Sequence, residues 1–320
     1  MGAWLRNEAY DRGWKHIERA SIAVVSIGNL TTGGTGKTPF AAYVARWYRE
    51  RGVRVAFVSR GYGAHEAATN DEALVLDALC PDVPHLQNPD RVAAAQIARL
   101  ELESQLVILD DGFQHRRLAR DLDIVLIDAT NPWGYGHLLP RGLLREPVSS
   151  LKRAHVVAIT RVDQADAGEL AAIRRAVEAA NPGAAIAEAA FPATRLVGAA
   201  GRTATLESLA GRSVAAFCGI GNPGAFRSSL GRLSFQADHF RVFPDHHNYS
   251  RFDVEALDRW TRQLAVDAVV CTQKDLVKIA LETLGDRPLW AVEIGTSIAA
   301  GRNALDAQLA HIITRSAMTT

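Results

Sequence analysis

The sequence predicts an α/β fold with a P-loop-type parallel sheet domain covered by helices, followed by a second, smaller α/β domain. Two observations carry this prediction. Short runs of β-branched apolar residues alternate with helix-length segments, which is typical of parallel sheets buried on both faces. A glycine-rich loop follows the first of these runs, and the alternation lapses between about Gly183 and Gly211 before it resumes.

The predicted strands are Ile22–Ile27, Val53–Val58, Leu106–Leu109, Ile124–Ile127, Val156–Ile159, Val214–Cys218, Ala268–Thr272 and Leu289–Ile294. The predicted helices cover residues 38–50, 89–103, 166–180, 223–233, 252–264 and 303–314. The predicted domains are an N-terminal amphipathic segment (1–20), the P-loop domain (21–182), a linking hairpin (183–212) and the smaller domain (213–320).

Composition sets limits on the class of protein. The chain has 320 residues with a hydrophobic fraction of 48%, which supports a sizeable core. Its net charge of +1 gives no electrostatic case for nucleic acid. The three cysteines are far apart, so disulfides and a zinc site are not expected. No run is long and apolar enough to span a membrane, so we expect a protein on the cytoplasmic side, with no obligate protein partner evident.

The first 20 residues mix aromatic, apolar and basic side chains. Such a segment is typical of an interfacial helix whose rings lie at headgroup depth and whose basic groups face anionic lipid. A helix packed on its own domain is an equally good interpretation at this point. The residues concerned are Trp4, Leu5, Tyr10, Trp14 and Ile17, with Arg6, Arg12, Lys15 and Arg19 between them.

A phosphate-binding loop follows the first strand. Its residues are Gly33, Gly34, Thr35, Gly36, Lys37 and Thr38. Glycines let backbone N–H groups converge on phosphate oxygens, and the following helix adds positive potential at its N-terminus. Lys37 would neutralise β- and γ-phosphate charge, and the Thr38 hydroxyl would ligate Mg²⁺. The loop therefore predicts ATP and Mg²⁺ as cofactors.

Acidic residues end two of the predicted strands. Asp110 and Asp111 follow Leu106–Leu109, where a magnesium ligand or a catalytic base would face the nucleotide. A helix or turn cap is the alternative interpretation. Asp128 ends Ile124–Ile127 and is a weaker candidate of the same kind.

Arginines in glycine-flanked loops are candidates for binding an anionic acceptor, because the guanidinium group binds phosphate with two parallel hydrogen bonds. Arg60, Arg141 and Arg145 are predicted to bind substrate. The apolar residues around Arg141 and Arg145 suit a ligand that has acyl chains and an anionic head. Arg116, Arg117 and Arg120 follow the aspartate pair, and for them a solvated helix face is the preferred interpretation.

One histidine of the second domain is a candidate proton carrier. His246 lies in the polar loop Phe243–Tyr249 and follows Asp245, which could orient it or favour its charged form. A surface loop is the simpler interpretation. The catalytic one requires that the second domain close over the phosphate loop.

Taken together and in this order, the motifs resemble those of the tetraacyldisaccharide 4′-kinase family, the lipid A 4′-kinases. The resemblance covers about residues 22 to 280. The matching segments are Ser26–Pro39 (SIGNLTTGGTGKTP), Ser59–Gly63 (SRGYG), Asp110–His115 (DDGFQH), Gly136–Pro147 (GHLLPRGLLREP), Gly219–Phe226 (GIGNPGAF), Asp245–His246 and Thr272–Lys278 (TQKDLVK).

The resemblance implies transfer of the ATP γ-phosphate to the 4′-hydroxyl of an acylated glucosamine disaccharide 1-phosphate. It implies a peripheral protein at an anionic membrane, on the cytoplasmic face of the bacterial inner membrane. Lys37 and Thr38 correspond to the ATP and Mg²⁺ groups. Asp110, paired with His246, corresponds to the proton-handling dyad, with Lys37 as the third catalytic residue and Asp111 as a metal ligand. Which aspartate is the base stays open.

The sequence departs from the family pattern in three places, two of which bear on membrane attachment and one on the acidic residue Glu72. Only about 21 residues precede the first strand, and the stretch between Gly63 and Asp71 is short. Both leave the manner of membrane attachment open. Asn70-Asp71-Glu72-Ala73 replaces the family's usual Gly-Asp-Glu-Pro, which leaves the role of Glu72 open.

Two alternative functions follow from the same residues. Thr160-Arg161-Val162-Asp163 faintly resembles the guanine-reading motif of P-loop GTPases, although the Asn and Lys of that motif are absent. A P-loop switch protein is therefore one alternative. The other alternative is a cytosolic kinase for a polar small molecule. The apolar loop Leu138–Leu144 and the aromatic N-terminus argue against this alternative.

Overall fold

A computed structural model describes the backbone of residues 2–61 and 71–317. The chain divides into two compact units. The first comprises Met1–Phe191 together with Thr296–Thr320, and the second comprises Pro192–Gly295.

The helices are α1 (Gly2–Asp11), α2 (Lys37–Arg49), α3 (Asp71–Leu79), α4 (Arg91–Leu100), α5 (Ala167–Ala180), α6 (Pro223–Arg232), α7 (Arg251–Arg262), α8 (Gln273–Ile279) and α9 (Arg302–Ala317). The strands are β1 (Ala23–Asn29), β2 (Val55–Ser59), β3 (His85–Gln87), β4 (Leu106–Asp110), β5 (Leu122–Asp128), β6 (Val156–Thr160), β7 (Ala185–Ala190), β8 (Ala193–Val197), β9 (Thr203–Ala204), β10 (Ser213–Cys218), β11 (Gln236–Val242), β12 (Ala268–Thr272), β13 (Thr283–Leu284), β14 (Arg287–Ile294) and β15 (Ser297–Ala300).

The sheet of the first unit has eight strands in the order β15-β7-β6-β5-β1-β4-β2-β3. All neighbouring strands are parallel except β15, which is antiparallel to β7. β1 lies between β4 and β5, so the chain changes direction across the sheet at β1. In open α/β sheets, ligands bind beyond the carboxyl ends of the strands at such a switch point.

The second unit has its own mixed sheet. Its main path runs β11-β10-β12-β14-β8-β9, and β13 pairs with β14. Strands β11, β10, β12 and β14 are parallel, whereas β8, β9 and β13 join in antiparallel fashion. The burial of β10 and β12 on both faces explains their continuous apolar sequences.

Local sequence explains where several helices begin. The Asp90 carboxylate accepts hydrogen bonds from the backbone N–H groups of Val92 and Ala93, which starts α4 two residues later than the predicted position 89. Reciprocal capping boxes start α5 at Asp166 and Glu169, and α7 at Ser250 and Asp253.

These elements confirm the predicted fold class, but the units have different bounds from the predicted domains. β7, predicted as part of a linking hairpin, pairs with β6 in the first sheet, while β8 pairs with β14 in the second. β15 and α9 return to the first unit, because β15 adds to the edge strand β7. The smaller unit therefore ends at Gly295 and not at residue 320.

Within the part of the chain that the structure describes, no helix is both long and apolar enough to cross a bilayer. α1 packs on the first unit through charged contacts. The Arg116 guanidinium donates to the Asn7 carbonyl at 2.9 Å and lies 2.8 Å from the Asp11 carboxylate. Asp11 also pairs with Lys152 at 3.2 Å. These contacts favour the interpretation that the segment packs on its own domain, while Leu5, Trp14 and Ile17 remain exposed.

Candidate functional site

The predicted phosphate loop lies between β1 and α2, as the sequence required. Gly33 and Gly36 have positive φ values of 107° and 86°, a region that side chains disfavour. A Cβ atom at Gly36 would lie 2.1 Å from the Phe191 ring, so both conformation and space require glycine there. At Gly33 and Gly34 nothing lies within 4 Å of the Cβ position. The backbone at these two residues is open to a ligand.

Lys37, Asp111 and Arg145 form an ionic network at the end of β1, which Asn29 and Thr35 join by hydrogen bonds. The Lys37 ammonium lies 3.7 Å from the Asp111 carboxylate and 3.4 Å from the Asn29 side-chain oxygen. The Arg145 guanidinium donates to both Asp111 oxygens, at 2.6 and 2.8 Å, and also to Asn29. The Asn29 amide in turn donates to the Thr35 hydroxyl at 3.0 Å. The network links the phosphate loop to the aspartate pair.

The same network fixes the charge of Asp111. Burial alone would raise the pKa of this carboxyl group, but the hydrogen bond from Arg145 and the positive charges of Lys37, Arg145 and Arg91 lower it to about 2. Asp111 is therefore ionised throughout the neutral range. Its backbone has a positive φ of 54°, which turns the chain sharply after β4.

Asp110 is the last residue of β4 and pairs in register with Ile27 of β1. Only 5% of its surface is exposed. Close packing of the residues after it fixes its position: a Cβ at Gly112 would lie 2.7 Å from the Ser26 hydroxyl, and one at Gly28 would lie 2.6 Å from Phe113. The sequence Asp-Asp-Gly-Phe thus lies directly against the strand that leads into the phosphate loop.

The arginine-bearing loop is attached to the phosphate loop by backbone hydrogen bonds. Thr32 N–H donates to the Leu143 carbonyl and Arg145 N–H donates to the Leu30 carbonyl, both at 2.7 Å. The structure thereby brings Arg145 into the site. Arg141, by contrast, is exposed and pairs with no acidic group among the described residues. Arg60 is exposed at the end of β2.

Some of the family-like residues lie outside the described ranges. These are Tyr62 and Gly63 of the Ser59–Gly63 motif, and the whole of the short stretch 64–70 that precedes Asp71. Glu72 lies in the first turn of α3.

The structure adds one cation that the sequence reasoning missed. Arg91, the first residue of α4, is 7% exposed, and the charges that act on it come from Asp111, Arg60 and Asp110. Burial lowers the pKa of this arginine, and the two aspartates oppose that effect. A positive charge in the first turn of a helix opposes the helix dipole. That conflict is the signal that could have identified Arg91 in the sequence.

The other charged candidates have structural partners. Arg116 pairs with Asp11, Arg117 with Glu18 and Asp90, and Arg120 with Asp123. No helix covers residues 111–121, all of which the structure describes, so the expected helix face is wrong for all three arginines, and the side chains of Arg116 and Arg120 are in addition buried in these pairs. Asp128 pairs with Arg161 and accepts hydrogen bonds from Thr130, which is the capping role that the sequence left open.

In the second unit, His246 lies in a loop after β11. Its side chain is 56% exposed, and its backbone φ is 57°. The backbone N–H of His246 donates to the Asp245 carboxylate at 3.0 Å. Gly219 packs closely against this loop, because a Cβ at its position would lie 3.2 Å from both His247 and Tyr249. The unit thus presents His246 on a supported, exposed turn at the carboxyl edge of its own sheet.

Comparison with known proteins gives one consistent family. Residues 1–314 match the model of the tetraacyldisaccharide-1-P 4′-kinase family. The chain is 39% identical to the tetraacyldisaccharide 4′-kinase of Anaeromyxobacter sp. (strain Fw109-5), over 99% of this chain and 91% of that one. It is 37% identical to that of Syntrophus aciditrophicus, over 88% and 81%.

A solved structure agrees with the sequence comparison. The crystal structure of LpxK from Aquifex aeolicus in complex with ATP superposes with a TM-score of 0.78 and 28% identity, over 96% of this chain and 94% of that one. These comparisons confirm the family that the motifs predicted. The chain belongs to the tetraacyldisaccharide-1-phosphate 4′-kinase family.

Proposed function

We propose that Lys37, Asp110, Asp111 and Arg145 carry out the reaction of this family in the present chain. Membership makes the protein an ATP-dependent lipid kinase, which transfers the γ-phosphate to the 4′-hydroxyl of a tetraacyldisaccharide 1-phosphate in lipid A synthesis. The observation that carries the residue assignment is the network joining Lys37, Asp111 and Arg145 at the end of β1.

The phosphate loop fits the triphosphate of ATP. Gly33 and Gly34 leave their backbone open, and Gly36 precedes the N-terminus of α2, where unpaired N–H groups attract anions. Lys37 would neutralise charge on the transferring group. Thr38 and a carboxylate of the aspartate pair would hold Mg²⁺, which supplies further charge neutralisation when bound.

The two aspartates differ in the work they can do. A carboxylate whose pKa is about 2 binds protons weakly at neutral pH, so Asp111 is a poor general base. It suits a metal ligand that also holds Lys37 and Arg145 in place. The low pKa of Asp111 argues against it as the base, and we propose Asp110 as the residue that accepts the proton of the 4′-hydroxyl, with His246 as its partner.

The pairing of Asp110 with His246 joins residues of separate units, and a double-mutant cycle tests it. We expect Asp110→Asn and His246→Ala each to lower turnover strongly, and the double variant to resemble the worse single one, because groups that act as a unit are not additive. ATP affinity should change little. His239→Ala, an exposed histidine of β11, is the matched control.

Two results would contradict the dyad. Multiplicative losses in the double variant would mean that the two residues act independently. A large loss of ATP affinity in Asp110→Asn would make Asp110 a metal ligand and leave Asp111 as the base.

Acceptor binding is proposed for the exposed arginines. Arg141 lies beside Leu138 and Leu139, which are 38% and 51% exposed, so the loop offers a cation next to apolar surface. We propose that Arg141 and Arg60 bind anionic groups of the lipid headgroup. Arg145 was predicted with them, and its contact with Asp111 supports a role in organising the site as well.

Peripheral contact with an anionic membrane, on the cytoplasmic face of the bacterial inner membrane, is proposed for the N-terminal segment. Trp14 is 71% exposed and lies beside the Arg12 guanidinium, 5.1 Å from its ring. Because Asp11 pairs with Arg116 and Lys152, a truncation would also disturb the first unit, so substitution is the cleaner test.

We expect Trp14→Glu to reduce sedimentation with vesicles of phosphatidylglycerol and phosphatidylethanolamine at low salt, and to spare activity on detergent-dispersed lipid. Leu100→Glu is the matched control, because Leu100 is an equally exposed apolar residue of the same unit at 74%. Unchanged sedimentation of Trp14→Glu would exclude this segment and direct attention to the loop around Arg141.

A further inference from the structure

The phosphate loop is also held through its carbonyl groups, by the two residues at the end of β6. The Thr160 hydroxyl, which is fully buried, donates to the Thr35 carbonyl at 3.0 Å. The Arg161 guanidinium donates to the Gly34 carbonyl at 2.5 Å. Both acceptors are backbone carbonyl groups of the loop.

Arg161 is itself oriented by Asp128. The guanidinium pairs with one Asp128 oxygen, while the other accepts from the N–H and hydroxyl of Thr130, at 3.0 and 2.7 Å. The parallel pairing of β5 with β6 places Asp128 opposite Thr160. One forked guanidinium group therefore bridges the end of β5 and the phosphate loop.

The backbone of Arg161 shows that this arrangement is constrained. Its φ and ψ are 55° and 37°, in the left-handed region that residues with a side chain rarely adopt. Strained residues of this kind persist where the surrounding structure holds them, and they occur often at ligand sites. In this backbone conformation the Arg161 side chain contacts both the Gly34 carbonyl and Asp128.

Fixing the carbonyls of a loop fixes its N–H groups, because the two groups of one trans peptide point in opposite directions. The carbonyl of Thr35 shares its peptide with the N–H of Gly36. The carbonyl of Gly34 shares its peptide with the N–H of Thr35, which closes a tight turn on the Gly33 carbonyl at 3.1 Å. Thr160 and Arg161 thus set the direction of the donors at the loop.

We propose that Asp128 and Arg161 form a positioning pair that holds the phosphate loop in its nucleotide-binding conformation and so sets the affinity for the triphosphate. The inference rests on the proposed function in taking ATP as the donor. It gives Asp128 a role other than proton transfer, and it gives the Thr160–Asp163 segment a role other than reading a base.

Two conservative variants separate this bracing role from simple attraction between Arg161 and phosphate. Asp128→Asn removes a negative charge near the loop, so attraction alone predicts tighter nucleotide binding. Bracing predicts weaker binding, since Arg161 loses the partner that orients it. Arg161→Lys keeps the positive charge but loses the fork that reaches two acceptors at once.

The test measures binding of ATP, GTP and inorganic tripolyphosphate to the full-length protein by calorimetry. We expect Arg161→Lys and Asp128→Asn each to weaken all three ligands about tenfold, the equivalent of one charge-assisted hydrogen bond, and the double variant to resemble the worse single one. Arg174→Lys is the matched control, because Arg174 forms a comparable pair with Glu188 in the same unit. Melting temperatures confirm that the variants are folded.

Three results would overturn the inference. Unchanged or tighter binding in Asp128→Asn would show attraction without bracing. Wild-type affinity in Arg161→Lys would show that charge alone suffices. A loss confined to ATP, with GTP and tripolyphosphate unaffected, would make Arg161 a base-reading residue. The measurement is of binding and not of transfer, so a failure of the proposed lipid-kinase reaction leaves each of these results readable.

Discussion

The carboxyl edges of the two sheets carry motifs of similar polarity but use them differently. In the first unit, the charges of Lys37, Asp111 and Arg145 meet beside an open loop. In the second, Asp275 is fully buried and accepts hydrogen bonds from neutral donors, the Gly219 N–H at 2.9 Å and the Tyr249 hydroxyl at 2.8 Å. One edge concentrates charge at the surface of a site, and the other buries a carboxylate to hold loops together.

The charged surroundings of Asp111 and the neutral hydrogen-bond donors around Asp275 affect pKa values in different ways. Neighbouring cations lower the pKa of Asp111 to about 2, so the negative charge of this carboxylate is stabilised by positively charged side chains. Burial, and then the negative charge of Asp275, raise the pKa of Tyr249 well above its ordinary value, which keeps the phenol as a donor. Asp275 thereby links Gly219 to Tyr249, the last residue of the loop that carries His246.

The sharpest test of the first edge is Lys37→Ala. We expect turnover to fall about 100- to 1000-fold, because the variant loses a preorganised charge on the transferring phosphoryl group. The melting temperature should change little, since the ammonium is part-exposed and Asp111 keeps Arg145 as a partner. Steady-state kinetics and a thermal melt check this. Retention of more than half the wild-type rate would remove Lys37 from the mechanism.

At the edge of the second sheet, we expect substitutions to lower the unfolding free energy rather than to affect turnover directly. Asp275→Ala leaves the Gly219 N–H and the Tyr249 hydroxyl buried without their acceptor, which we expect to cost about 3 kcal/mol of unfolding free energy. Urea denaturation measures it. Asp238→Ala, at an exposed position on β11, should stay within about 0.5 kcal/mol of wild type. Equal stability of the two variants would mean that Asp275 is not a structural support.

A smaller effect is expected for Arg145→Lys. A lysine ammonium lacks the planar fork with which Arg145 contacts both Asp111 oxygens and Asn29, so Lys37 and Asp111 should lose alignment. We expect about a tenfold lower turnover, comparable to the loss of one charge-assisted hydrogen bond. Arg99→Lys, an exposed site on α4, is the control. A variant with wild-type turnover would show that a single positive charge is enough at this position.

The sequence predicted those parts of the site whose residues are contiguous along the chain. The strand, glycine loop and helix of residues 22–50 are contiguous, so the phosphate loop could be predicted without tertiary information. The role of Arg145 and the presence of Arg91 in the site depend on pairings between residues that are distant in the sequence, such as Arg145 with Asp111, which are 34 positions apart. Spacing along the chain does not encode such pairings.

The unit boundaries show the same limit. β15 adds to the edge of the first sheet after the chain has completed the second unit, an event that composition cannot signal. The apolar runs predicted the central strands well because burial on both faces leaves a clear pattern. β7 and β8 lie in different sheets although only two residues separate them, so a hairpin was the natural but mistaken prediction.

The smallest expected effect concerns pH and the first unit alone. His85 lies on β3 with its ring nitrogen 2.9 Å from the Ser59 hydroxyl, and burial lowers its pKa from 6.5 to about 4. The unfolded chain therefore binds a proton between pH 6.5 and 4 that the folded chain does not. Stability attributable to His85 is full above pH 6.5 and is lost as the pH falls towards 4.

Between pH 7.5 and 6.0, protonation of His85 in the unfolded chain should lower the unfolding free energy by about 1 kcal/mol, and His115, whose pKa is lowered to about 4 as well, should contribute a similar amount. We therefore expect His85→Gln to remove about half of the pH dependence while retaining a hydrogen bond to Ser59. Urea denaturation at the two pH values measures the difference. Asp111 does not contribute over this range, because its depressed pKa of about 2 means that its share is lost only below pH 3.8. If the pH dependence of His85→Gln matched that of the wild type, His85 would make no such contribution, and His115→Gln would then be expected to remove the whole of the sensitivity.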